Sequence, residues 1–170
     1  METITTHSPI ITKIIKNWYN IYMSQKDNEI TKTIKDVYRE VRFGVLATQG
    51  KKSPYTCLIG YILSEDLKKL YFITSNKTRK FTNIKNNNMV SIMIDNRQTA
   101  PGKTYLITAI TVMGEAQILK RTPPNLLKKY SQKHPDLTDF ARSDNSRMIN
   151  VNISKYIVVK KFQEVIELNL

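Results

Sequence analysis

The chain has 170 residues, of which 41% are apolar and 24% charged. That composition suits one globular domain and excludes a wholly disordered chain, a collagen and a coiled-coil rod. Lysine and arginine number 27 against 14 aspartates and glutamates, a net charge of +13, which favours anionic partners such as nucleic acids, anionic membranes or phosphorylated small molecules without choosing among them.

Two helices are predicted before residue 42. Ser8 suits an N-cap and Pro9 the first helical position. Apolar residues then recur on one helical face, at Ile10, Ile11, Ile14, Ile15, Trp18, Ile21 and Tyr22. The polar residues 24–29 predict a connection, and a second helical pattern follows at Ile30, Ile34, Val37, Tyr38 and Val41. We expect both helices to pack against the main body or a second subunit, with binding to a membrane surface the weaker alternative.

Short runs of β-branched and aromatic residues follow and predict strands. They cover residues 43–48, 55–63, 70–74, 90–95, 105–119, 148–153 and 156–168, with helices at 79–87 and 125–134 and another short one starting at Pro135. Gly114 inside the long fifth strand predicts a bulge or a close backbone approach. Because hairpins rather than crossover helices link most strands, we expect an antiparallel sheet, closed into a small barrel that hides its edges.

The segment from Thr74 to Lys80 has the ingredients of a phosphate site. It follows a strand and opens a helix, whose first turn offers free N–H groups and partial positive charge. Hydroxyls come from Thr74, Ser75 and Thr78, and charge from Arg79 and Lys80. A threonine N-cap followed by two solvated bases explains the same residues equally well. Farther along the chain, Arg97 is a candidate to bind a second anion or to pair with a carboxylate. The favoured interpretation of this segment is a turn in which Asp95 hydrogen-bonds to its own backbone.

Other kinds of site find little support. The single cysteine, Cys57, excludes an intrachain disulfide and a thiolate cluster, and it suits a small core residue. His7 and His134 are too far apart in sequence to favour zinc, and His134 is expected to end a helix, where its positive charge is favourable. A Cys57–His134 nucleophile pair is disfavoured. The basic cluster around Lys128 reads as a solvated helix face, so a nucleic-acid partner is not expected.

Neither a signal peptide nor an apolar run of the roughly 18 residues needed to span a bilayer is present. We therefore expect a soluble cytoplasmic protein without membrane association.

Five segments in this order resemble the pyridoxamine 5′-phosphate oxidase-like, FMN-binding split-barrel superfamily. They are Phe43-Gly44-Val45-Leu46-Ala47-Thr48, the strand from Ser53 to Tyr61, the segment from Leu70 to Ile84 with Thr78-Arg79-Lys80, the strand from Asn88 to Arg97, and Thr111-Val112-Met113-Gly114-Glu115-Ala116. The resemblance runs from about Tyr38 to the C-terminus. Their order and spacing are specific for the superfamily and not for one activity within it.

The resemblance implies a mainly β fold, a split antiparallel β-barrel over residues 42–170 with an N-terminal helical extension over 1–41. It further implies a homodimer with FMN at the subunit interface and a small-molecule substrate or electron donor. Arg79 and Lys80 would bind the FMN phosphate with help from Thr74, Ser75 and Thr78. The flavin ring would lie along Val45, Leu46, Ala47 and Thr48 and along Thr56, Cys57 and Leu58, with Arg97 near the interface.

The chain also departs from true pyridoxamine phosphate oxidases. Their C-terminal arginine and tryptophan motif is missing, and Trp18 is the only tryptophan, so vitamin B6 oxidation is disfavoured. We expect an FMN-dependent oxidoreductase of unassigned substrate, with no catalytic side chain assigned, because flavin chemistry belongs to the cofactor. The alternative is a non-catalytic split barrel that binds flavin, deazaflavin or haem; FAD in place of FMN also remains open.

Overall fold

The computed structural model describes residues 9–99 and 102–170, which form seven strands and four helices. The strands are β1 (Phe43–Gln49), β2 (Pro54–Leu63), β3 (Lys69–Ser75), β4 (Met89–Asp95), β5 (Thr108–Ile118), β6 (Ser146–Lys160) and β7 (Glu164–Asn169). The helices are α1 (Pro9–Glu40), α2 (Arg79–Asn86), α3 (Pro124–Lys133) and α4 (Thr138–Arg142). Single turns of 3-10 helix occupy Thr104–Leu106, where a strand was predicted, and Pro135–Leu137.

The sheet closes on itself into a barrel. Its strands run in the order β3-β2-β1-β4-β5-β6, and the pairing of β3 with β6 completes a ring of antiparallel neighbours. The first half of β6 pairs with β3, and its second half pairs with β7 along the same edge. This arrangement confirms the predicted split antiparallel barrel with peripheral helices.

The barrel interior is an apolar core. Large side chains from every barrel strand are fully buried in it, among them Leu46, Phe72, Ile92, Val112, Tyr156 and Val158. The hydroxyl of Tyr156 donates to the carbonyl oxygen of Leu67 at 2.7 Å, so its polar end is satisfied inside the core. Each such side chain contributes about 1.5–3 kcal/mol when removed from water. The core therefore gives the barrel surface a rigid frame.

Helix α1 is continuous, which corrects the prediction of two helices joined at residues 24–29. That polar stretch contains neither glycine nor proline, so nothing in it interrupts the helical hydrogen bonds. Polarity marked a solvent-facing part of one helix rather than a connection: residues 27–29 are exposed.

The two halves of α1 differ in their contacts. Ile30, Ile34 and Val37 are buried against the barrel, as predicted for the second half. In the first half, Trp18 and Ile21 are 70% and 47% exposed, so these two do not pack against the main body as expected. The predicted N-cap Ser8 and most other side chains of that face lie outside what the structure describes. No helix in the described part of the chain is both long and apolar enough to cross a membrane.

A bulge explains why the last strands were divided wrongly. A single strand, β6, contains both the predicted strand 148–153 and part of the predicted strand 156–168. Ser154 has no pairing partner on β5, because Met113 pairs with Lys155 and the next residue, Gly114, pairs with Ile153. The extra residue breaks the alternation that a regular strand shows. The true end of β6 is a tight turn at Lys161 and Phe162, both with positive φ, and neither is a usual turn residue.

Gly114 lies opposite this bulge, as its place in the strand predicted. A Cβ atom added there would overlap the carbonyl oxygen of Asn152, which is backbone and cannot turn aside. Only glycine fits at this point of the β5–β6 ladder.

Candidate functional site

The predicted phosphate segment forms the junction between β3 and α2. Thr78 is the N-cap of α2, and its Oγ1 accepts from the Phe81 N–H at 3.4 Å. The same hydroxyl donates to the Ser75 carbonyl at 2.8 Å and lies 3.0 Å from Oγ1 of the buried Thr74. Both threonine hydroxyls are thus used to build the junction. The chain continues into α2 with the first-turn N–H groups of Arg79 and Lys80, which have no acceptor inside the helix.

Ser75 remains as a donor at this junction. Its Oγ accepts from the Lys77 N–H at 3.2 Å, so its own proton is free to point outward. The Lys80 side chain is half-buried beside it. A serine O–H, an ammonium group and two helical N–H groups are donors that an anionic oxygen prefers.

These donors line one end of a cleft of about 380 Å³ on the outer face of the barrel. Its floor is β2 at Leu58 and Gly60, and α3 and α4 close one side through Tyr130 and Phe140. A second cleft of about 280 Å³ begins where this one ends, since Phe43 and Leu58 line both, and it extends over Val45, Met93 and Arg97. We call the two together the barrel groove: a cationic, donor-rich end followed by an apolar floor.

Strand alternation divides the residues predicted to lie along a flavin ring. Val45 on β1 pairs with Leu58 on β2, and Ala47 pairs with Thr56, and all four face outward. Leu46 and Thr48 are buried inside the barrel, and the half-buried Cys57 pairs with Leu46 on the same inner side. Because successive strand residues face opposite ways, only the outward set can offer side chains to a ligand on the outer face, whereas the inward residues would contribute through their backbone.

The inward residues have structural partners instead. The Thr48 hydroxyl accepts from Asn83 Nδ2 at 2.9 Å and donates to the Tyr55 carbonyl at 3.3 Å, which ties α2 to the barrel. Burial raises the pKa of the Cys57 thiol, and the positive charge of Lys80 opposes that shift. The Cys57 side chain lies on the inner face of β2, whereas His134 packs on the outer face of the same strand, so the two do not form a nucleophile pair.

Arg79 and Lys80, predicted to grip one phosphate together, face different clefts. The Arg79 guanidinium lies 5.3 Å from the centre of the Tyr55 ring, in a cleft of about 450 Å³ between α2 and the β1–β2 hairpin. We call this space the hairpin cleft; Lys51, Lys52, Tyr55, Arg79, Asn83 and Asn86 line it. Of the two side chains, only that of Lys80 lines the barrel groove.

Arg97 lines the barrel groove but is already paired. Its Nε lies 2.8 Å from Asp95 Oδ1, which also accepts the Arg97 backbone N–H at 3.1 Å. The turn closed by Asp95 is therefore present, as favoured from the sequence. Much of the Arg97 charge is neutralised by its own neighbour.

Sequence analysis missed one residue of the groove wall, Tyr130 on α3, and the packing of His134, at the end of that helix, against β2. A Cβ on Gly60 would lie 3.1 Å from both the Tyr130 hydroxyl and His134 Cε1, so the missing side chain lets α3 pack directly on β2. A glycine in the middle of a strand was the available signal. Burial raises the pKa of Tyr130 to about 12, so its hydroxyl is a donor at neutral pH.

His134 is buried and neutral rather than a charged helix end. Its Nε2 lies 3.0 Å from the Tyr61 carbonyl, which only accepts, so Nε2 carries the proton, and Nδ1 has no partner in the described structure. Burial is the largest effect on its pKa and lowers it. The residue does end α3, as predicted, but its positive charge is not available there.

A flavin mononucleotide fits the chemistry of the barrel groove. Ser75, Lys80 and the first turn of α2 match a phosphate, and the apolar floor at Val45, Leu58 and Met93 matches the face of a flat ring. The described residues contain no group of three or more metal-ligating side chains.

Comparison with solved structures finds the same fold. General Stress Protein 26 from Bacillus anthracis matches with a TM-score of 0.66 at 20% identity, over 83% of this chain and 98% of that one. The heme storage protein HutZ from Vibrio cholerae matches with 0.64 at 16%, over 76% and 93%. A NimC/NimA family protein from Clostridium acetobutylicum matches with 0.61 at 19%, over 82% and 92%. Identities this low show a shared fold and nothing further.

Sequence comparison is more specific. No curated protein matches the chain significantly. The family model described as pyridoxamine 5′-phosphate oxidase, however, matches residues 30–160, which run from the buried part of α1 to the end of β6. This range includes the β3–α2 junction and the whole barrel. The chain is therefore a member of the pyridoxamine 5′-phosphate oxidase family.

Proposed function

We propose that this protein is a homodimeric FMN-dependent oxidoreductase that acts on a small molecule. The observation that carries the proposal is the barrel groove, which joins anion donors at one end to an apolar floor on the outer face of β1, β2 and β4. A phosphate attached to a flat aromatic ring system has the matching order of groups. Family membership supports a cofactor of this kind.

The β3–α2 junction would hold the phosphate. Thr74 and Thr78 fix the turn by their own hydrogen bonds, so Ser75, Lys80 and the N–H groups of residues 79 and 80 keep their positions when the anion arrives. Positions fixed in advance reduce the ordering cost of binding. The partial positive charge of the helix start adds to the attraction.

The flavin would supply the redox chemistry when bound. This chain would orient it, with Leu58, Val45 and Met93 under the ring and the ring face left open to a substrate. The Tyr130 hydroxyl, a donor in the groove wall, is placed to bind a polar group of the cofactor or substrate beside Gly60. Tyr130 and Phe140 would shield that end of the groove from water.

The dimer is proposed from the outer sheet face. Three large apolar side chains on that face are exposed: Leu58 on β2 by 65%, Met93 on β4 by 38% and Met113 on β5 by 37%. Large apolar side chains grouped on a sheet face mark an interaction surface. A second copy seated there would cover them and close the groove.

An absorption spectrum with an FMN titration tests the cofactor. We expect two flavin bands between about 300 and 500 nm that shift on binding, because the ring environment changes. Lys80→Gln should weaken FMN by on the order of 1.5–3 kcal/mol, the size of a charged hydrogen bond, which is about tenfold to a hundredfold. Lys85→Gln is the matched control, since Lys85 lies exposed in the last turn of the same helix.

Two results would contradict the proposal. A protein whose spectrum is indifferent to FMN has no flavin site, and a Soret band in the purified protein would indicate haem instead. Equal losses of FMN affinity in Lys80→Gln and Lys85→Gln would remove Lys80 from the phosphate site. Anaerobic mixing with NADH or NADPH then tests turnover, since bound flavin that neither donor bleaches would favour a binding protein.

A further inference from the structure

One face of helix α3 and the end of α4 enclose a further cleft, of about 360 Å³. That volume lies at the small end of the range for small-molecule pockets. The α3 residues that line it have the spacing of a single helical face, and one residue of α4 closes it. They are Pro124, Leu127, Lys128, Ser131 and Gln132 on α3, with Arg142 on α4. We call this space the α3–α4 cleft; it shares no lining residue with the barrel groove or the hairpin cleft.

A buried hydroxyl in this cleft lacks a partner. Ser131 Oγ is shielded from solvent and has no hydrogen-bond partner among the described residues. A serine inside a helix can satisfy its hydroxyl on the carbonyl four residues earlier, but Ser131 does not do so. Buried polar groups in native proteins are nearly always paired. Because Ser131 lines the cleft, its hydroxyl points to a polar ligand there.

Two cations at the cleft also lack a counter-ion. Lys128 and Arg142 are both exposed, and neither forms an ion pair within the part of the chain that the structure describes. None of the lining residues is acidic. Asp136, close by in sequence, is already paired with Arg42. The cleft therefore offers a guanidinium, an ammonium and a hydroxyl to one anionic group.

The other end of the cleft is apolar. Pro124 and Leu127 lie in the first part of α3, and Ser131 comes seven residues after Pro124, which is about 10 Å along the helix axis. Leu127 is half-buried against the cluster that contains Tyr130 and Met148, so it presents a firm apolar surface. An anion attached to an apolar chain matches this order of groups better than an inorganic anion, because the apolar part leaves water as well.

We propose that the α3–α4 cleft binds a carboxylate that carries an unbranched alkyl chain, as in a medium-chain fatty acid. The planar guanidinium of Arg142 suits the two carboxylate oxygens. Lys128 and Ser131 would donate to the remaining lone pairs of those oxygens, and the alkyl chain would lie over Leu127 and Pro124. This site is additional to the one proposed for FMN and does not depend on it.

Calorimetric titration of the full chain with sodium octanoate tests the site. We expect saturable binding that weakens about tenfold in Arg142→Gln, because a hydrogen bond between two charged groups is lost. The matched control is Arg121→Gln, which removes the same charge from an exposed residue outside the cleft lining. Its affinity for octanoate should stay close to that of the natural sequence.

The variant Ser131→Ala separates binding from folding. Since the hydroxyl has no partner in the described structure, the variant should unfold at the same temperature as the natural sequence when octanoate is absent. Octanoate should then raise its Tm by less, because losing this hydrogen bond weakens binding about fivefold.

Two probes separate the two parts of the ligand. Octan-1-ol keeps the alkyl chain without the negative charge, and acetate keeps the carboxylate without the long alkyl chain. Each should bind more weakly than octanoate, because each makes only part of the contacts.

Four results would overturn the proposal. They are no saturable binding of octanoate, equal losses in Arg142→Gln and Arg121→Gln, a Ser131→Ala protein that is destabilised without octanoate, and octan-1-ol binding as tight as octanoate. Displacement of octanoate by saturating FMN would also overturn it, by placing octanoate in the barrel groove. FMN affinity measured on Arg142→Gln should be unchanged, so failure of this site is distinct from failure of the proposed function.

Discussion

At the scale of single residues, the contacts that decide the site are those that depend on which way a side chain turns. Sequence analysis could place Thr74, Ser75, Thr78 and Lys80 together, because they are local to one strand–helix junction. It could not show that Arg79 turns toward Tyr55, since that contact joins two segments more than 20 residues apart. Nor could it show that Gly60 admits Tyr130 and His134 from α3.

Gly60 gives a prediction about this close approach. In Gly60→Ala the new methyl group meets Tyr130 and His134 at 3.1 Å, and we expect a stability loss of about 1–3 kcal/mol, typical of overpacking. Gly114→Ala should cost more, because its methyl group overlaps backbone rather than side chains. Urea unfolding of both variants measures the two losses, and a Gly60→Ala variant as stable as the natural sequence would show that α3 is not packed tightly on β2.

Lys133 gives a prediction about pH. Its Nζ donates to the Tyr38 carbonyl at 2.8 Å and lies 3.3 Å from the Tyr38 ring centre, while burial, Arg42 and Lys129 lower its pKa to about 7. Between that value and the ordinary lysine pKa of 10.5 the unfolded chain holds one more proton than the folded chain. Stability therefore rises with pH across this interval.

Thermal unfolding from pH 7 to 9 measures this effect, below the range in which tyrosines ionise. We expect Tm to rise with pH in the natural sequence and to change less in Lys133→Met, which keeps the length of the side chain without its charge. Lys128→Met, on the same helix, should leave the slope as it was. A slope that survives in Lys133→Met would assign it to other groups.

At the scale of elements, the strands were predictable because their signals are local. Alternation and turn residues located the β1–β2 and β2–β3 hairpins, and Gly114 located the bulge. The errors arose where the signal was missing or misleading. Polar residues without a helix breaker looked like a connection inside α1, Ser154 broke the alternation of β6 without ending it, and the Lys161–Phe162 turn contains no residue that favours positive φ.

Helix α1 gives a prediction that separates its two halves. Ile34 is fully buried against the barrel, so Ile34→Ala should lower the free energy of unfolding by about 2–5 kcal/mol. Ile21 is 47% exposed, and Ile21→Ala should stay within about 0.5 kcal/mol, as exposed sites do. Chemical denaturation of both variants tests this. Comparable losses would mean that a second subunit covers the first half of the helix.

At the scale of the whole molecule, the barrel topology followed from the order of hairpins, but the assembly did not. The proposed dimer rests on side chains that three strands, β2, β4 and β5, bring to one face, and their grouping appears only after folding. Met93→Glu places a charge in the middle of that face, and we expect it to convert a dimer to a monomer. Phe162→Glu, at the exposed β6–β7 turn, is the control. Light scattering after size exclusion measures the mass, and a dimeric Met93→Glu protein would contradict the proposed interface.

The pairing of β6 with β3 also sets an order in which the protein can fold. The β1–β2 hairpin and the β4–β5 pair join residues close in sequence, whereas β3 and β6 come from opposite halves of the chain. Contacts between distant segments cost loop-closure entropy before they add any stability, and this cost slows folding. During synthesis the ring stays open until β6 has emerged, so the edge of β3 that β6 will cover stays free while the residues between Ser75 and Ser146 are made. The growing chain therefore needs that edge protected, either by a chaperone or by rapid closure of the barrel, a need that the finished barrel no longer shows.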